Sequence, residues 1–275
     1  MAEIIARGVR FHVQRLTAGG GAPVVVFVHG LLVDNLSSFY HPLAVPMHRA
    51  GVDVVLYDHR GHGLSSRPAS GYTVEDAVDD LAALLAGLGV DRPVHLVGNS
   101  YGGVIALRAA VRRPDLVAAL ALLDAHEALG DGSDWLEDMV NSLTVAAWRF
   151  TEHDVPDQLL RAFGRRARKT ARMAATVDAL LNGTTLIDDL AALRPLDPAE
   201  LAAVRCPVLA VYGEHSDLRA AGDHLARTLP RCRLVTLPGL SHTILREGVD
   251  LIRPLLLDWV PVPPSRADAS AAVSA

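Results

Sequence analysis

A serine stands among glycines in the stretch HLVGNSYGGVIAL, from His95 to Leu107. The pattern Gly98-x-Ser100-x-Gly102 lies between a strand-like run and a helix-like run. It predicts a sharp turn that exposes the serine hydroxyl at the carboxyl end of the strand. Glycines at the two flanking positions would let strand and helix approach closely. An ordinary glycine-rich turn has the same pattern, so the chemistry of Ser100 depends on its partners.

A serine hydroxyl is a weak nucleophile unless a base, itself oriented by a carboxylate, lies within hydrogen-bond reach. His242 follows the strand-like run RLVTLPG, and Asp217 follows the run VLAVYG. Both would therefore lie near the carboxyl ends of strands, where Ser100 is also expected. We predict a catalytic triad of Ser100 as nucleophile, Asp217 as the orienting carboxylate and His242 as general base and acid.

Acyl transfer also needs donors for the oxyanion of the tetrahedral intermediate. The backbone N–H of Tyr101, directly after the serine, is one expected donor. The second is expected from the loop after the apolar run VVVFV, where Gly30 allows the chain to turn inward and Leu31 offers its N–H. We interpret His29, which precedes them, as a structural hydrogen-bonding residue rather than a base.

The elements that would position these residues are short apolar runs separated by amphipathic segments. Runs of this kind suit strands that are buried on both faces, as in a parallel sheet. The runs span residues 24–28, 53–58, 94–98, 117–124, 207–213 and 233–239. Residues 4–16 alternate as a paired antiparallel edge would, and residues 73–89 have helical periodicity that closes on Gly89. The fold class is therefore α/β, a mostly parallel sheet flanked by helices.

Residues 126–200 contain no strand-like run and are charged and helix-like. We interpret them as a helical cap between the core segments 1–125 and 201–260. The tail 261–275 is rich in Pro, Ala and Ser and is expected to be disordered. Apolar cap residues that pack on the sheet edge could also line a substrate pocket, namely Trp135, Met139, Leu143, Trp148 and Phe150. The basic stretch 161–172 is either a solvated helix face or a docking patch for an acidic partner such as an acyl carrier protein.

Composition excludes several other classes of protein. The 275 residues carry a formal net charge of −5, which gives no reason to expect a nucleic-acid partner. The sequence has no apolar run of about eighteen residues, as a membrane span needs, and no secretory leader pattern, so we expect a cytoplasmic protein. Two cysteines, Cys206 and Cys232, make neither a disulfide framework nor a metal site.

Five motifs follow one another along nearly the whole chain: FVHGLL, YDHRGHGLSSRP, HLVGNSYGGVIAL, VLAVYGEHSD and LPGLSH. In the order and spacing of these motifs, the chain resembles the α/β-hydrolase superfamily. The resemblance implies the fold of that family with a cap insertion, and catalysis without metal or organic cofactor. It also implies that Asp58 and Arg60 pin a structural loop in DHRGHGLS, which we do not interpret as a metal site. A serine at the nucleophile position argues against the branches that use Asp there to open epoxides or displace halide.

The resemblance leaves the acid and the reaction open. Asp124, after the run ALALLD, occupies a position that some family members use for the acid, although Asp217 is the commoner arrangement. The expected reaction is hydrolysis of a small-molecule ester or thioester through an acyl-enzyme. The alternative is a lyase or cyclase in which His242 removes a substrate proton, because residues 31–42 resemble members found among bacterial natural-product enzymes. A non-catalytic binding protein of this fold would usually lack a triad member, and none is missing here.

Overall fold

The computed structural model describes residues 2–19, 21–32, 34–126 and 175–261. These residues form one eight-stranded sheet with the strand order β1-β2-β4-β3-β5-β6-β7-β8. The strands are β1 (Ala2–Ala6), β2 (Val9–Leu16), β3 (Val24–Val28), β4 (Asp53–Tyr57), β5 (Val94–Asn99), β6 (Val117–Leu123), β7 (Val208–Gly213) and β8 (Cys232–Leu237). The six expected apolar runs are thus confirmed as strands, to within two residues at their ends.

Strands β3 to β8 pair in parallel, whereas β1 and β2 form an antiparallel edge. The β1–β2 hairpin turns through Arg7 and Gly8, which both have positive φ (49° and 76°), as a two-residue hairpin loop requires. Every residue of β3, β4 and β7 is buried. Burial on both faces explains why these strands are continuous apolar runs instead of alternating ones.

Helices follow most of the strands. They are α1 (Ser37–Phe39), α2 (Val45–Arg49), α3 (Val74–Gly87), α4 (Tyr101–Arg112), α5 (Leu186–Ala191), α6 (Pro198–Ala202), α7 (Arg219–Thr228), α8 (Ile244–Glu247) and α9 (Val249–Trp259). A π-helical segment, Tyr40–Ala44, joins α1 to α2, and residues 175–181 are also helical. Helix α3 begins where the Thr73 hydroxyl accepts the Asp76 N–H (3.0 Å), and the chain leaves it through Gly89 at φ 67°.

The helices cover both faces of the sheet and create two apolar clusters. One cluster packs α3, α4 and residues 175–204 against one face, with Leu84, Ile105 and Leu180 fully buried. The other packs the segment 36–47 and α9 against the opposite face, with Phe39 and Leu256 fully buried. This is the layered α/β architecture that the pattern of runs predicts.

The expected cap lies largely outside the described residues. The predicted pocket residues Trp135, Met139, Leu143, Trp148 and Phe150 and the basic stretch 161–172 are outside the described residues. The tail 262–275 is outside them as well. The described end of the cap segment, residues 175–200, is mainly helical, and its leucines join the core beside α3 and α4. Among the described helices, none has the length and apolar character that crossing a membrane would require.

Candidate active site

Ser100 occupies the junction between β5 and α4 in an unusual backbone conformation, φ 51° and ψ −119°. Its N–H donates to the carbonyl of Leu123, at the end of the neighbouring strand β6 (2.9 Å). A Cβ at Gly98 would overlap the backbone of Gly102, and a Cβ at Gly102 would overlap the carbonyl oxygens of Val28 and His29. Glycine is therefore required at both positions, because strand and helix pass too close for a side chain. This turn presents the Ser100 hydroxyl at the carboxyl edge of the sheet.

His242 lies in the loop between β8 and α8 and faces Ser100. Its Nε2 is 3.2 Å from Ser100 Oγ, and its Nδ1 is 2.9 Å from Asp124 Oδ2. A carboxylate only accepts hydrogen bonds, so Nδ1 carries the proton and Nε2 is left to accept the serine hydroxyl. Serine, imidazole and carboxylate thus form a continuous hydrogen-bonded series, in which the hydroxyl can lose its proton to a base already oriented by an anion.

Asp124 is held at the end of β6 in a left-handed backbone conformation (φ 45°), and its side chain is fully buried. Its N–H donates to the carbonyl of Val211 (2.7 Å), which ties it to the neighbouring strand β7. The Ser216 hydroxyl donates to Oδ2 (2.8 Å), and the Gly213 N–H lies 3.4 Å from Oδ1. Three donors therefore solvate this buried carboxylate, counting His242, and fix its orientation.

The expectation that Asp217 makes the contact with His242 is wrong. Asp217 is exposed, and its Oδ1 lies 3.5 Å from the Ser216 hydroxyl. The tight turn after β7 places Ser216 beside Asp124 and leaves the neighbouring Asp217 facing solvent. The alternative position, Asp124, therefore supplies the carboxylate that contacts His242.

The hydrogen bond from His242 to Asp124 raises the pKa of His242 above its usual value of 6.5, against an opposing effect of burial. The negative charges of Asp124 and Asp217 add to this rise. The two carboxylates stabilise the imidazolium that forms when His242 accepts a proton. The group is thus suited to take a proton from a hydroxyl and to return it to a leaving group.

Ser100 and His242 line a cleft, and Leu31, one of the two proposed oxyanion donors, lines it with them. The other, Tyr101, directly follows Ser100 as the first residue of α4, so its N–H belongs to the unpaired first turn of that helix. The cleft has a volume of about 450 Å³. Its other described lining residues are Gly30, Asp34, Ser38, Asn99, Thr243, Leu245 and Arg246.

Three buried histidines, His29, His59 and His62, lie close together and hydrogen-bond to the backbone. His29 Nδ1 donates to the Gly30 carbonyl (2.7 Å) while its Nε2 accepts the His59 N–H (3.0 Å). His59 Nε2 donates to the His29 carbonyl (2.9 Å). Burial lowers the pKa of His29 and of His62, and it lowers the pKa of His59 to about 3. All three are neutral at ordinary pH, which agrees with a structural interpretation of His29.

The loop after β4, which contains His59 and His62, is fixed by Asp58 and Arg60. Asp58 accepts the N–H groups of Leu36 and Leu64 (both 2.9 Å), and Arg60 makes a two-point contact with Asp80 (2.8 Å for each bond). These contacts agree with the pinning role expected for Asp58 and Arg60. Within the described ranges, no group of three or more His, Cys, Asp or Glu side chains is arranged to hold a metal ion.

Sequence reasoning missed Ser216 and His62. Ser216 donates a hydrogen bond to Asp124, and it stands within the motif VLAVYGEHSD, in which we predicted a role for Asp217 alone. His62 Nε2 accepts the N–H of Leu32, in the loop that carries Leu31 (2.9 Å). No sequence signal links His62 to Leu32, because 30 positions separate the two residues.

Comparisons with known proteins agree with this architecture. A family model described as the alpha/beta hydrolase fold matches residues 23–199. Because that match covers more than half of the chain, the chain belongs to the α/β-hydrolase family, and it is an enzyme of that family.

Individual relatives are similar over most of the chain. A 2-(acetamidomethylene)succinate hydrolase of Mesorhizobium japonicum is 30% identical over 240 residues, which is 82% of this chain and 83% of the relative. Lipase LipV of Mycobacterium tuberculosis is 37% identical over 182 residues, 66% of this chain and 62% of the lipase. Among solved structures, Est816, described as an N-acyl homoserine lactone degrading enzyme, superposes with a TM-score of 0.70 at 26% identity, covering 94% of this chain and 100% of Est816.

Proposed function

We propose that the protein hydrolyses carboxylic esters or thioesters through an acyl-enzyme on Ser100. His242 acts as general base and then general acid, Asp124 orients it, and the N–H groups of Leu31 and Tyr101 bind the oxyanion. The single observation that carries this proposal is the hydrogen-bonded series from Ser100 Oγ through His242 to the buried Asp124, with distances of 3.2 Å and 2.9 Å.

The chemistry follows from the positions of these groups. Ser100 Oγ attacks the acyl carbon while His242 Nε2 takes its proton, and the carbonyl electron pair becomes the oxyanion. Collapse of this intermediate breaks the bond to the alcohol or thiol, which leaves with the proton from His242. A water molecule then attacks the acyl-serine, again with His242 as base, and releases the carboxylic acid and the free hydroxyl.

The similar proteins support ester-type substrates, since they include a lipase and a lactone-degrading enzyme. An acyl carrier protein as partner, and a place in natural-product biosynthesis, stay predictions from the sequence. The basic stretch on which the carrier-protein prediction depends lies outside the described residues.

A fluorophosphonate probe tests the proposal directly, because only a serine activated by a base displaces its fluoride. Intact-mass spectrometry should find one probe per wild-type chain, and none on Ser100→Ala or His242→Ala. The Ser70→Ala variant is the matched control, since it removes an exposed serine away from the cleft and should label like wild type. Turnover of p-nitrophenyl butyrate should be lost in the same two variants.

Other outcomes are equally informative. Labelling that persists in folded Ser100→Ala would remove Ser100 from the mechanism. A folded wild-type enzyme that neither labels nor hydrolyses esters would overturn the proposal in favour of the elimination alternative, in which His242 removes a proton from the substrate directly.

A further inference from the structure

The loop that carries Leu31 holds its neighbouring amides in a particular way. The Gly30 N–H donates to Asp34 Oδ2 (2.7 Å), and the Leu32 N–H donates to His62 Nε2 (2.9 Å). Between them, the Leu31 N–H has no acceptor among the described residues. Of three successive amides, the outer two are thus fixed by side chains, and the middle one is left for a ligand in the cleft.

This arrangement needs a backbone that a leucine rarely adopts. Leu32 has φ 62°, in the left-handed region that favours glycine. Such a residue costs on the order of 1 kcal/mol and persists only where its surroundings hold it. The hydrogen bond from its own N–H to His62 opposes relaxation of this turn, beside a longer one from the Asp34 N–H to the Leu31 carbonyl (3.4 Å).

His62 is built to be an acceptor at Nε2. Its Nδ1 lies 2.9 Å from the Arg60 carbonyl, which can only accept, so the single ring proton resides on Nδ1. The residue is 2% exposed, and burial lowers its pKa, although the hydrogen bond to the Arg60 carbonyl and the charges of Asp34 and Asp58 oppose that effect. The imidazole therefore stays neutral, with a lone pair directed at Leu32.

We propose that His62 is a positioning residue of the oxyanion hole: by accepting the Leu32 N–H it maintains the left-handed turn that leaves the Leu31 N–H free for the oxyanion. The inference rests on the proposed function, since it assigns a role in the same acyl transfer. It gives His62 a part in the reaction without any contact with the substrate.

Three variants test this inference. His62→Phe keeps the buried ring but removes the acceptor, whereas His62→Gln places an amide oxygen close to the former Nε2. His59→Phe is the matched control, because it removes a buried imidazole of the same cluster whose Nε2 contacts the His29 carbonyl and none of the N–H groups of residues 30–32. Urea denaturation of all three shows whether their stabilities are comparable.

We expect His62→Phe to lower kcat by about 10- to 100-fold with little change in KM, since loss of a whole oxyanion donor costs about 10²- to 10³-fold. Affinity for a trifluoromethyl ketone, whose adduct with the serine carries an oxyanion, should fall by the same factor. His62→Gln should recover most of both losses. If His62 acted in folding alone, His62→Phe would instead lower the free energy of unfolding and leave the affinity for the trifluoromethyl ketone unchanged.

The inference is overturned if His62→Phe and His59→Phe lose kcat equally, or if His62→Gln is no better than His62→Phe. Its failure is distinguishable from failure of the proposed function. Wild type that labels at Ser100 while the His62 variants behave like the control rejects only the inference, whereas wild type that does not label rejects both.

Discussion

Asp124 combines three properties that an orienting carboxylate needs. It is fully buried, it accepts hydrogen bonds from His242 and Ser216, and its backbone is tied to β7 through Val211. A buried carboxylate without donors would be costly to keep ionised, and here the donors are supplied by two neighbouring strand ends. Its orientation is therefore set by the sheet itself.

The first prediction concerns the identity of the acid. Asp124→Asn should lower kcat by about 10³- to 10⁴-fold, because an amide cannot hold the same imidazole tautomer or stabilise its positive charge. Asp217→Asn should stay within about threefold of wild type, since an exposed charge acts only through a screened interaction. Steady-state kinetics on p-nitrophenyl butyrate compares the two. A larger loss in Asp217→Asn would reassign the acid.

The second prediction concerns pH. Asp124 raises the pKa of His242, and the base works only when neutral, so kcat/KM should rise with pH through a midpoint above 6.5. Removing the Asp124 carboxylate removes the main cause of the raised pKa of His242. In Asp124→Asn the residual activity should keep its acidic limb at lower pH than wild type. Profiles of kcat/KM from pH 5 to 9 measure both midpoints, and unchanged midpoints would contradict the assignment.

At the scale of elements, the site residues follow strands whose carboxyl ends lie at one edge of the sheet. Ser100 follows β5, Asp124 follows β6 and His242 follows β8. Since β5 and β6 are hydrogen-bonded neighbours, the nucleophile and the acid share a rigid frame, and the histidine reaches them from a loop. Close packing of α4 against β5 and β3 completes that frame.

The third prediction tests this close packing. In Gly102→Ala the added methyl group would overlap the carbonyl oxygens of Val28 and His29, so the free energy of unfolding should fall by about 1–3 kcal/mol or more. Gly87→Ala is the control in helix α3, where the methyl group meets the Cγ2 methyl group of Ile4 (3.1 Å) and no backbone atom, and helix propensity improves. Urea denaturation should find Gly87→Ala within about 1 kcal/mol of wild type.

The elements were predictable from sequence because buried parallel strands have a continuous apolar pattern. The contact between Ser100 and His242 was predictable too, since glycines surround the serine and the histidine closely follows the last strand. The choice between Asp124 and Asp217 was not, because each acid follows an apolar run. What separates them is the left-handed backbone at Asp124 and the position of Ser216, and neither follows from residue type. The role of His62 could not be predicted, because its hydrogen-bond partner Leu32 is distant in sequence.

At the scale of the whole molecule, Asp80 joins three separate parts. This residue of α3 is almost fully buried and accepts hydrogen bonds from Arg60, in the histidine loop, and from Arg7, in the β1–β2 turn (each 2.8 Å). The edge hairpin, the loop after β4 and the helix that covers the sheet therefore share one carboxylate.

The fourth prediction follows from that shared position. Asp80→Ala should lower the free energy of unfolding by about 3–5 kcal/mol, because it leaves the largely buried Arg60 guanidinium without its partner. Asp79→Ala is the adjacent control, since that carboxylate is 42% exposed and its ion pairs are long (3.6 Å and 4.0 Å). Its effect should be below about 1 kcal/mol. Equal effects in denaturant titrations would contradict the central position of Asp80.

Two carboxylates act on one imidazole: Asp124 by contact and Asp217 by its charge. A chain that holds both carboxylates is a form through which the acid could move from one strand to the next in evolution. While both are present, an anion stays in contact with the histidine until the other has been brought within hydrogen-bond distance.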